Sequence, residues 1–417
     1  MLMVWLCQCI CLVVGFLRGA IRICISSAFL KKNNNEQWFE VRKKDYEKVA
    51  IIIPVYEEQN VIEKSVESFM PLMKYGIDIY YVTTQKETGN ETTKDILEKI
   101  LKRYNGNKIH VIDCPYKSGV MAHQLNYCID RLSEETICFI YNVDSVIDIR
   151  TINYVLEHRA LLKKGVFQQY AYSFISSNNN LLNSAISWQN RWSIAYELPK
   201  AICAGGKIRM FNYNYVIGHG LVFTKRMYNS FNHFSEKEIN EDNVLGYVLN
   251  FKSIPIYPIP FLEKVDFAYN LSIYVRQQST WFNGPLYAFK YYRELRRTNK
   301  YFPKFKMFIV ALLNFKAAIN WLFFPICCVV SIIAMLLTNN LLQAIILLLL
   351  IIGYVRLLNR WVEKCLQNSL IDFSEKSKNY THCIFWLFIH TLGPMITVSK
   401  ILKRKNNQIN KYKTIKI

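Results

Sequence analysis

Two oxygen-bearing side chains stand one residue apart at the end of a strongly apolar segment. The segment "ETICFIYNVDSV" places Asn142 and Asp144 directly after a continuous apolar run. Mg²⁺ and Mn²⁺ bind oxygen ligands, commonly one or two carboxylates together with phosphate oxygens. One carboxylate and one amide oxygen can hold such a cation when a bound diphosphate supplies the other ligands. The structural alternative is that Asp144 only caps a turn or a helix.

A second acidic pair, Glu241 and Asp242, begins the segment "EDNVLGYVLN", whose pattern indicates the start of a helix. Carboxylates in a first helical turn interact favourably with the helix dipole, and this is the structural alternative for the pair. A carboxylate at an accessible helix start can also take a proton from a hydroxyl group. The pair is therefore a candidate for acid–base chemistry.

Further candidate ligands of a polar substrate lie beside predicted strands and helices. The glycines that flank His219 in "IGHGL" would let the backbone approach a ligand closely, although a structural turn explains them equally well. Lys117 opens a loop before a helix, a place that suits a diphosphate.

The elements that must position these residues alternate between strands and helices. The β-rich runs "KVAIIIPV", "IDIYYVTT", "KIHVIDC" and "TICFIYNV" are separated by helical segments. This alternation predicts an α/β fold with a mostly parallel sheet and helices on both faces. Ligands of such sheets bind at the carboxyl ends of the strands, and Asp144 falls at such an end.

The distribution of charged and apolar residues predicts a membrane protein. The chain has 417 residues, 52% of them hydrophobic, and its 52 Lys and Arg residues outnumber its 31 Asp and Glu residues. Basic residues flank the apolar segments before Arg18 and after Met307, which favours an anionic cytoplasmic leaflet over nucleic acid as the partner. The twelve cysteines follow no disulfide or zinc framework.

Four separated motifs together resemble those of the family 2 membrane glycosyltransferases, the group that includes the cellulose, chitin and hyaluronan synthases. In chain order they are "IIIPVYEE", "YNVDS", "NEDNVLG" and "QQSTWFNGP". The resemblance covers roughly residues 49–285. It implies a GT-A fold, a nucleotide-sugar donor and a divalent metal, Mg²⁺ or Mn²⁺.

The resemblance also implies roles for individual residues. In the metal motif, Asn142 and Asp144 take the positions of two aspartates. Asp242 would be the base of an inverting transfer, with Glu241 orienting the acceptor. The donor side would contain Glu57 and Thr83 near the nucleotide base and Lys117 near the diphosphate. The acceptor and diphosphate side would contain His219, Gln277, Trp281 and Arg276.

Three features depart from the family pattern. Asn142 replaces an aspartate, Thr83 and Thr84 stand where the strand commonly ends in an aspartate that holds the base, and Thr280 replaces an arginine. A threonine cannot bind a diphosphate bidentately as a guanidinium does. The departures leave a second hypothesis open: a degenerate, non-catalytic membrane subunit that binds a nucleotide sugar or scaffolds a polysaccharide assembly.

The sequence thus predicts a multi-pass cell-membrane glycosyltransferase with its catalytic domain on the cytoplasmic side. The expected donor is a UDP-sugar, and the expected acceptor is a polysaccharide or a lipid-linked glycan; membrane lipids are expected partners and nucleic acid is not. The expected divisions are an N-terminal membrane anchor (1–30), a cytosolic GT-A domain (45–285), a basic aromatic interfacial region (286–316), transmembrane segments (317–400, at 317–337, 341–355 and 383–398) and a basic tail (401–417).

Overall fold

The computed structural model describes residues 2–32, 48–104, 108–173, 180–205, 214–268, 270–298, 304–369 and 383–403. The strands are β1 Val49–Pro54, β2 Asp78–Thr84, β3 Ile109–Cys114, β4 Ile137–Ile140, β5 Val166–Gln168, β6 Ala171–Ser173, β7 Leu221–Thr224, β8 Ile256–Pro258 and β9 Glu263–Val265. The α-helices are α1 Leu2–Lys32, α2 Ile62–Phe69, α3 Thr93–Tyr104, α4 Met121–Ile129, α5 Ile149–Glu157, α6 Asn180–Trp192, α7 Leu198–Gly205, α8 Lys225–Phe231, α9 Glu241–Phe251, α10 Leu271–Leu286, α11 Ala288–Thr298, α12 Lys304–Leu337, α13 Leu341–Ser369 and α14 Cys383–Leu402. Short 3₁₀ turns cover Met70–Tyr75 and Arg159–Lys163, and a π-helical turn, Ser193–Glu197, joins α6 to α7.

A seven-stranded sheet in the order β3-β2-β1-β4-β7-β5-β8 forms the centre of the soluble part. Neighbouring strands are parallel except at β7, which runs antiparallel to both β4 and β5. Strands β6 and β9 form a small parallel pair beside it. This arrangement confirms the predicted α/β fold with a mostly parallel sheet.

The central strands are buried on both faces, as their continuous apolar sequences predict. Along β1, Ile51 and Ile53 point into one hydrophobic cluster and Ile52 into another, and all three are 0% exposed. Helices α2, α3 and α5 cover the first face of the sheet, and α4, α8 and α9 cover the second. Strand alternation therefore places one core on each side of the sheet.

Within the described ranges, three helices are long and apolar enough to cross a membrane: α1, α12 and α13. Helices α12 and α13 form a hairpin, and α1 packs along α13 in the same direction. Trp5 donates a hydrogen bond to the Gln343 carbonyl (3.0 Å), and further along α1 a Cβ on Gly19 would lie 2.9 Å from Leu358 Cδ2. Helix α14 contains a shorter apolar stretch, Phe388–Leu402, and packs against α10.

Charged residues end the uncharged stretches of these helices on the same side of the helix bundle. Arg18 and Arg356 are the first charged residues of α1 and α13, and the packing of Gly19 against Leu358 places them at the same level. In α12 the last charged residue is Lys316, and the 21 residues from Ala317 to Leu337 carry no charge. At 1.5 Å per residue that stretch is about 31 Å long, close to the thickness of a bilayer's hydrocarbon core.

Several elements differ from the sequence expectation. Helix α1 continues through Arg18 and Arg22 to Lys32 as one helix, because its second half packs on the π-helical turn and on α7. The segment "NYVIGHGLVFTKRMY" has the pattern of a strand, but its last residues belong to α8, where Thr224 caps the helix by accepting from the Met227 amide (3.1 Å). The middle of the chain, roughly 166–269, shows a mixed pattern, and within it residues 180–205 are almost entirely helical.

Candidate active site

A cleft of about 1570 Å³ opens at the edge of the sheet where β1 and β4 end, and it extends to α6, α7, α10, α12 and α14. Because β7 runs antiparallel, the loop before it reaches the same edge, and Gly220 donates to the Ile140 carbonyl (2.7 Å). Of the residues predicted from sequence, the cleft brings together Glu57, Asn142, Asp144, His219, Glu241, Asp242, Gln277 and Trp281. Thr83, Lys117 and Arg276 do not line it.

The turn after β4 holds Asn142 and Asp144 at the cleft wall, each partly exposed. Its geometry is fixed by Ser145, which is 1% exposed. The Ser145 hydroxyl accepts from the Asn142 amide (3.0 Å), and the Ser145 amide donates to the Asn142 carbonyl (3.1 Å). The two side chains that can bind a cation are thus mounted on a closed turn rather than on a mobile loop.

The donor set of this turn fits a divalent cation that shares a bound diphosphate. Across the described residues, no group of three or more His, Cys, Asp or Glu side chains is arranged to hold a metal ion by itself. Mg²⁺ needs no such group, since it binds through one or two carboxylates plus substrate phosphates and water. Asp144 and the Asn142 amide oxygen supply that minimum.

Asp242 lies at the start of α9, directly opposite the glycine-rich loop that precedes β7. Its Oδ2 accepts a hydrogen bond from the Gly218 amide (3.1 Å), and its Oδ1 accepts from the Asn243 amide (2.7 Å). Neighbouring Glu241 is only 2% exposed. The carboxylate of Asp242 is therefore oriented by two backbone donors.

The start of α9 is fastened to α10, the helix that carries "QQSTW". The Asn240 side chain donates to the Thr280 carbonyl (3.2 Å), and a Cβ on Gly284 would lie 3.0 Å from Asn243 Nδ2. The Thr280 hydroxyl donates to the Arg276 carbonyl within the helix (3.2 Å). Trp281 is 41% exposed and lines the cleft, so its ring is available to a sugar face.

His219 forms a buried ion pair with Glu263 of β9. The distance from Nδ1 to Oε2 is 2.7 Å, and the Glu263 side chain is fully buried. Burial alone would lower the pKa of His219, but the charges of Glu263, Asp144 and Glu197 outweigh it and raise the pKa above its ordinary value. The next residue, Gly220, has φ +64° and would place a Cβ 2.6 Å from the Gln169 carbonyl, so this turn requires glycine.

At the other end of the cleft, a buried acid organises the loop after β1. Glu87 accepts from the Glu57 amide (3.0 Å), the Gln59 side chain (2.7 Å) and the Thr93 amide (2.7 Å). Glu57 itself is exposed, with φ 52°. Thr83 is 1% exposed and donates to Asp113 Oδ1 (2.9 Å), so its hydroxyl is used within the sheet edge.

The cations on the cleft wall are not those that the motifs suggested. Lys86, Lys264 and Lys316 line the cleft, whereas Lys117 and Arg276 do not. The Lys86 amine lies 5.0 Å from the centre of the Tyr56 ring and donates to the Gly119 carbonyl (3.2 Å). The backbone of Lys264 adjoins the turn after β4, since its carbonyl accepts from the Val146 amide (3.4 Å). No motif marks these lysines in the sequence.

Sequence reasoning also missed Gln278, the neighbour of the predicted Gln277. Its side chain is 1% exposed and lines the cleft, and neither its Oε1 nor its Nε2 has a hydrogen-bond partner among the described residues. A buried unpaired amide is rare because it loses its bonds to water without replacement. The only sequence feature that marks this position is the pair of adjacent glutamines in "QQSTW", and the sequence does not show which of the two is buried.

Comparisons with known proteins bear on the fold. No protein-family model matches the sequence, and no curated protein sequence matches it significantly. The chain is similar in structure to the mannosyltransferase PcManGT from Pyrobaculum calidifontis, solved in complex with GDP-Man and Mn²⁺, with a TM-score of 0.52 and 13% identity over 88% of this chain and 99% of that one.

Two further solved structures are more distant. S. aureus TarS 1–349 with UDP-GlcNAc has a TM-score of 0.44 and 11% identity over 86% of this chain and 93% of that one. Glucosyl-3-phosphoglycerate synthase from Mycobacterium tuberculosis, with Mn²⁺, UDP and phosphoglyceric acid, has a TM-score of 0.36 and 11% identity over 57% and 78%. On its strand order and its similarity to PcManGT, this chain has a GT-A-type glycosyltransferase fold.

Proposed function

We propose that the protein is an inverting glycosyltransferase that moves a sugar from a nucleotide-sugar donor to a glycan hydroxyl. The observation that carries this proposal is the meeting of two acidic sites in one cleft. Asp144 lies on the turn after β4, and Asp242 lies at the start of α9. The GT-A-type fold supports the same reading, because PcManGT has this fold and was solved with GDP-Man and Mn²⁺.

On the donor side, the nucleotide would bind along the loops after β1 and β2, beside Glu57. Asn142 and Asp144 would hold Mg²⁺ or Mn²⁺ together with the donor diphosphate. When bound, the metal would offset the negative charge that develops on the leaving diphosphate. Lys264, next to this turn, and Lys86 would add positive charge from this chain, the role that the sequence assigned to Lys117 and Arg276.

On the acceptor side, Asp242 would take the proton from the attacking hydroxyl. The hydroxyl oxygen forms a bond to the anomeric carbon, the bond from that carbon to the diphosphate breaks, and the nucleoside diphosphate leaves. The two backbone hydrogen bonds to Asp242 would fix the direction of its free lone pairs. Trp281 would stack on the acceptor, and Glu241, Gln277 and His219 would line its path. The donor expected from sequence is a UDP-sugar.

We also propose that the cleft lies on the cytoplasmic side of a cell membrane. The support is the charge distribution: Arg18, Lys316 and Arg356 end the uncharged stretches of α1, α12 and α13 on the side of the sheet domain. A membrane-impermeant maleimide should then label exposed Cys203 of α7 only after cells are permeabilised. Labelling of Cys203 in intact cells, mapped by mass spectrometry, would place the cleft on the outer side of the membrane and contradict the proposal.

The test of the catalytic role is nucleoside diphosphate release by the full chain in detergent with Mn²⁺ and a panel of nucleotide sugars. Asp242→Asn keeps the shape of the side chain and removes the base, so turnover should fall about 10²- to 10⁴-fold. Asp95→Asn is the matched control, because Asp95 also lies in a first helical turn but not in the cleft.

Two outcomes would contradict the proposal. Full turnover by Asp242→Asn would remove the assigned base. Absence of turnover with every donor, together with intact nucleotide binding, would favour the alternative of a non-catalytic subunit that binds a nucleotide sugar. The features that motivate this alternative are Asn142 and Thr280, which stand where the family has an aspartate and an arginine.

A further inference from the structure

A second cavity of about 410 Å³ lies on the outside of α1, where this helix meets α7. Its wall is apolar along α1 and ends in cations; the lining residues are Val14, Leu17, Arg18, Ile21, Arg22, Ile25, Pro199, Lys200 and Cys203. Val14, Leu17 and Ile21 are 55%, 54% and 63% exposed, large values for aliphatic side chains. We call this cavity the α1–α7 groove.

Three cations gather at one end of the groove, around the ring of Tyr196. The Lys200 amine lies 3.8 Å and the Arg22 guanidinium 5.2 Å from the ring centre, and Arg18 is one helical turn before Arg22. Among the residues that the structure describes, neither arginine pairs with a carboxylate. Burial lowers the pKa of the Lys200 amine, and Arg22 and Arg18 lower it further against the opposing effect of Tyr196. The two arginines therefore bring positive charge to one end of the groove, and neither is paired with a carboxylate in the part of the chain that the structure describes.

The groove and the cleft adjoin each other at this cluster. Arg18 and Lys200 line both cavities, and Tyr196 lines the cleft. Arg18 also marks the end of the uncharged part of α1, at the level of Arg356. The cations thus lie at head-group depth, the apolar wall lies toward the hydrocarbon core, and the cleft with Asp242 lies on the other side.

From this arrangement we infer that the acceptor is a glycan carried on a lipid phosphate, a deduction that rests on the proposed function. The hydrocarbon chain lies along Val14, Leu17 and Ile21, the phosphate is bound by Arg18, Arg22 and Lys200, and the glycan extends into the cleft. Guanidinium groups suit this role because their paired donors match phosphate oxygens. Such a site would hold the acceptor hydroxyl near Asp242 while its carrier stays in the bilayer.

The test measures how far a ligand protects Cys203, an exposed lining residue of the groove, from alkylation by a maleimide. The full chain in lipid nanodiscs is treated with the maleimide in the presence of farnesyl phosphate, farnesol or inorganic phosphate. Peptide mapping then separates the reaction of Cys203 from that of the other cysteines. Saturating farnesyl phosphate should slow the reaction at least about tenfold. The other two probes should give little protection at the same concentration, because each has only half of the required chemistry.

The variants test the cations and the apolar wall separately. A cation near a membrane surface contributes roughly fivefold in affinity, so Arg18→Gln combined with Arg22→Gln should raise the farnesyl phosphate concentration that gives half-maximal protection by about twentyfold or more. Arg356→Gln is the matched control, since Arg356 lies at the same level on α13 but does not line the groove. Ile21→Trp keeps every charge, fills the groove and should also abolish protection, which covers the case of a double variant that does not fold.

If farnesol protects Cys203 as well as farnesyl phosphate does, the cations do not bind the phosphate. If inorganic phosphate protects it equally well, the ligand is a soluble phosphate. Either result overturns the inference. Donor turnover, measured in parallel as nucleoside diphosphate release, separates this result from the proposed function. Turnover without protection refutes the groove alone. Protection without turnover refutes the catalytic proposal alone.

Discussion

Replacing Gln278 with methionine tests whether this buried glutamine lowers the stability of the folded protein and at the same time binds the substrate. Gln278 lies on α10 with 1% of its surface exposed, and its two amide atoms have no partner among the described residues. Helix α14 covers it closely, since a Cβ on Gly393 would lie 2.7 Å from Gln278 Cβ. Methionine has nearly the same length and volume but no hydrogen-bonding group that must be satisfied.

The magnitude follows from the unmade hydrogen bonds. A buried polar group without a partner costs about 1–3 kcal/mol, and replacement by an apolar group of the same shape removes that penalty. Gln278→Met should therefore raise the free energy of unfolding by about 1–3 kcal/mol. For a chain of 417 residues, the entropy of unfolding gives a shift of roughly 1 °C per kcal/mol, so the thermal midpoint should rise by about 1–3 °C. If the amide binds substrate, the same change should lower turnover about tenfold, as the loss of one neutral hydrogen bond does.

Gln124 provides a matched control in the same cleft. It is 7% exposed, and its Nε2 donates to the Val55 carbonyl (2.8 Å) and to the Val82 carbonyl (2.6 Å). Gln124→Met leaves the ends of β1 and β2 without that donor, so this variant should be less stable than the native chain. Thermal unfolding of both variants in detergent, followed by nucleoside diphosphate release, gives the two readouts.

The two glutamines should thus respond in opposite directions. A lower thermal midpoint for Gln278→Met would mean that its amide makes stabilising hydrogen bonds in the folded protein. A higher midpoint with unchanged turnover would mean that the amide has no part in binding. Only higher stability together with lower turnover agrees with a side chain kept for its substrate.

Two further predictions concern the charges of the cleft. The His219–Glu263 pair raises the pKa of His219 above 6.5, so the stability that it contributes is fully present below pH 6.5 and is lost as the pH rises through the higher folded-state value. His219→Gln should therefore lower the thermal midpoint more at pH 6 than at pH 9, and an equal effect at both would contradict the pairing. Asn142→Asp should tighten Mn²⁺ binding in the presence of a nucleoside diphosphate roughly tenfold, because affinity at oxygen-ligated sites follows ligand charge. Titration by electron paramagnetic resonance measures this, with Asp144→Ala expected to abolish binding and an unchanged affinity in either variant refuting the assignment.

The parts of the fold that sequence predicted are those governed by local pattern. The run Val49–Pro54 is continuously apolar, and a strand buried on both faces is the element that needs such a run. Asp144 follows the end of β4 and Asp242 lies at the start of α9, as predicted, because strand ends and helix starts can be read from short segments. Their roles in metal binding and proton transfer stay predictions.

The parts that sequence did not predict depend on distant contacts. Helix α6 packs on β6, α13 and α14, and helix α7 packs on β8 and α1. Because the neighbours change along residues 180–205, the apolar residues there follow no single helical or strand period. Lys200 reaches the cleft only through that packing. Lys117 and Arg276 were chosen from motif spacing, whereas the lysines that line the cleft come from separate elements. Charge assembled from several elements leaves no local signature.

The long apolar helices and the cleft are parts of one structure. Lys316, Asn320 and Trp321 of α12 line the cleft, and the indole of Trp321 donates to the His390 carbonyl of α14 (2.9 Å). An enzyme whose substrates are all soluble does not require a substrate cavity that lies against the end of a long apolar helix. A cleft placed at that level meets any acceptor whose phosphate is held at the bilayer surface. The position of the cleft, more than any single motif, therefore argues that the acceptor arrives from the membrane.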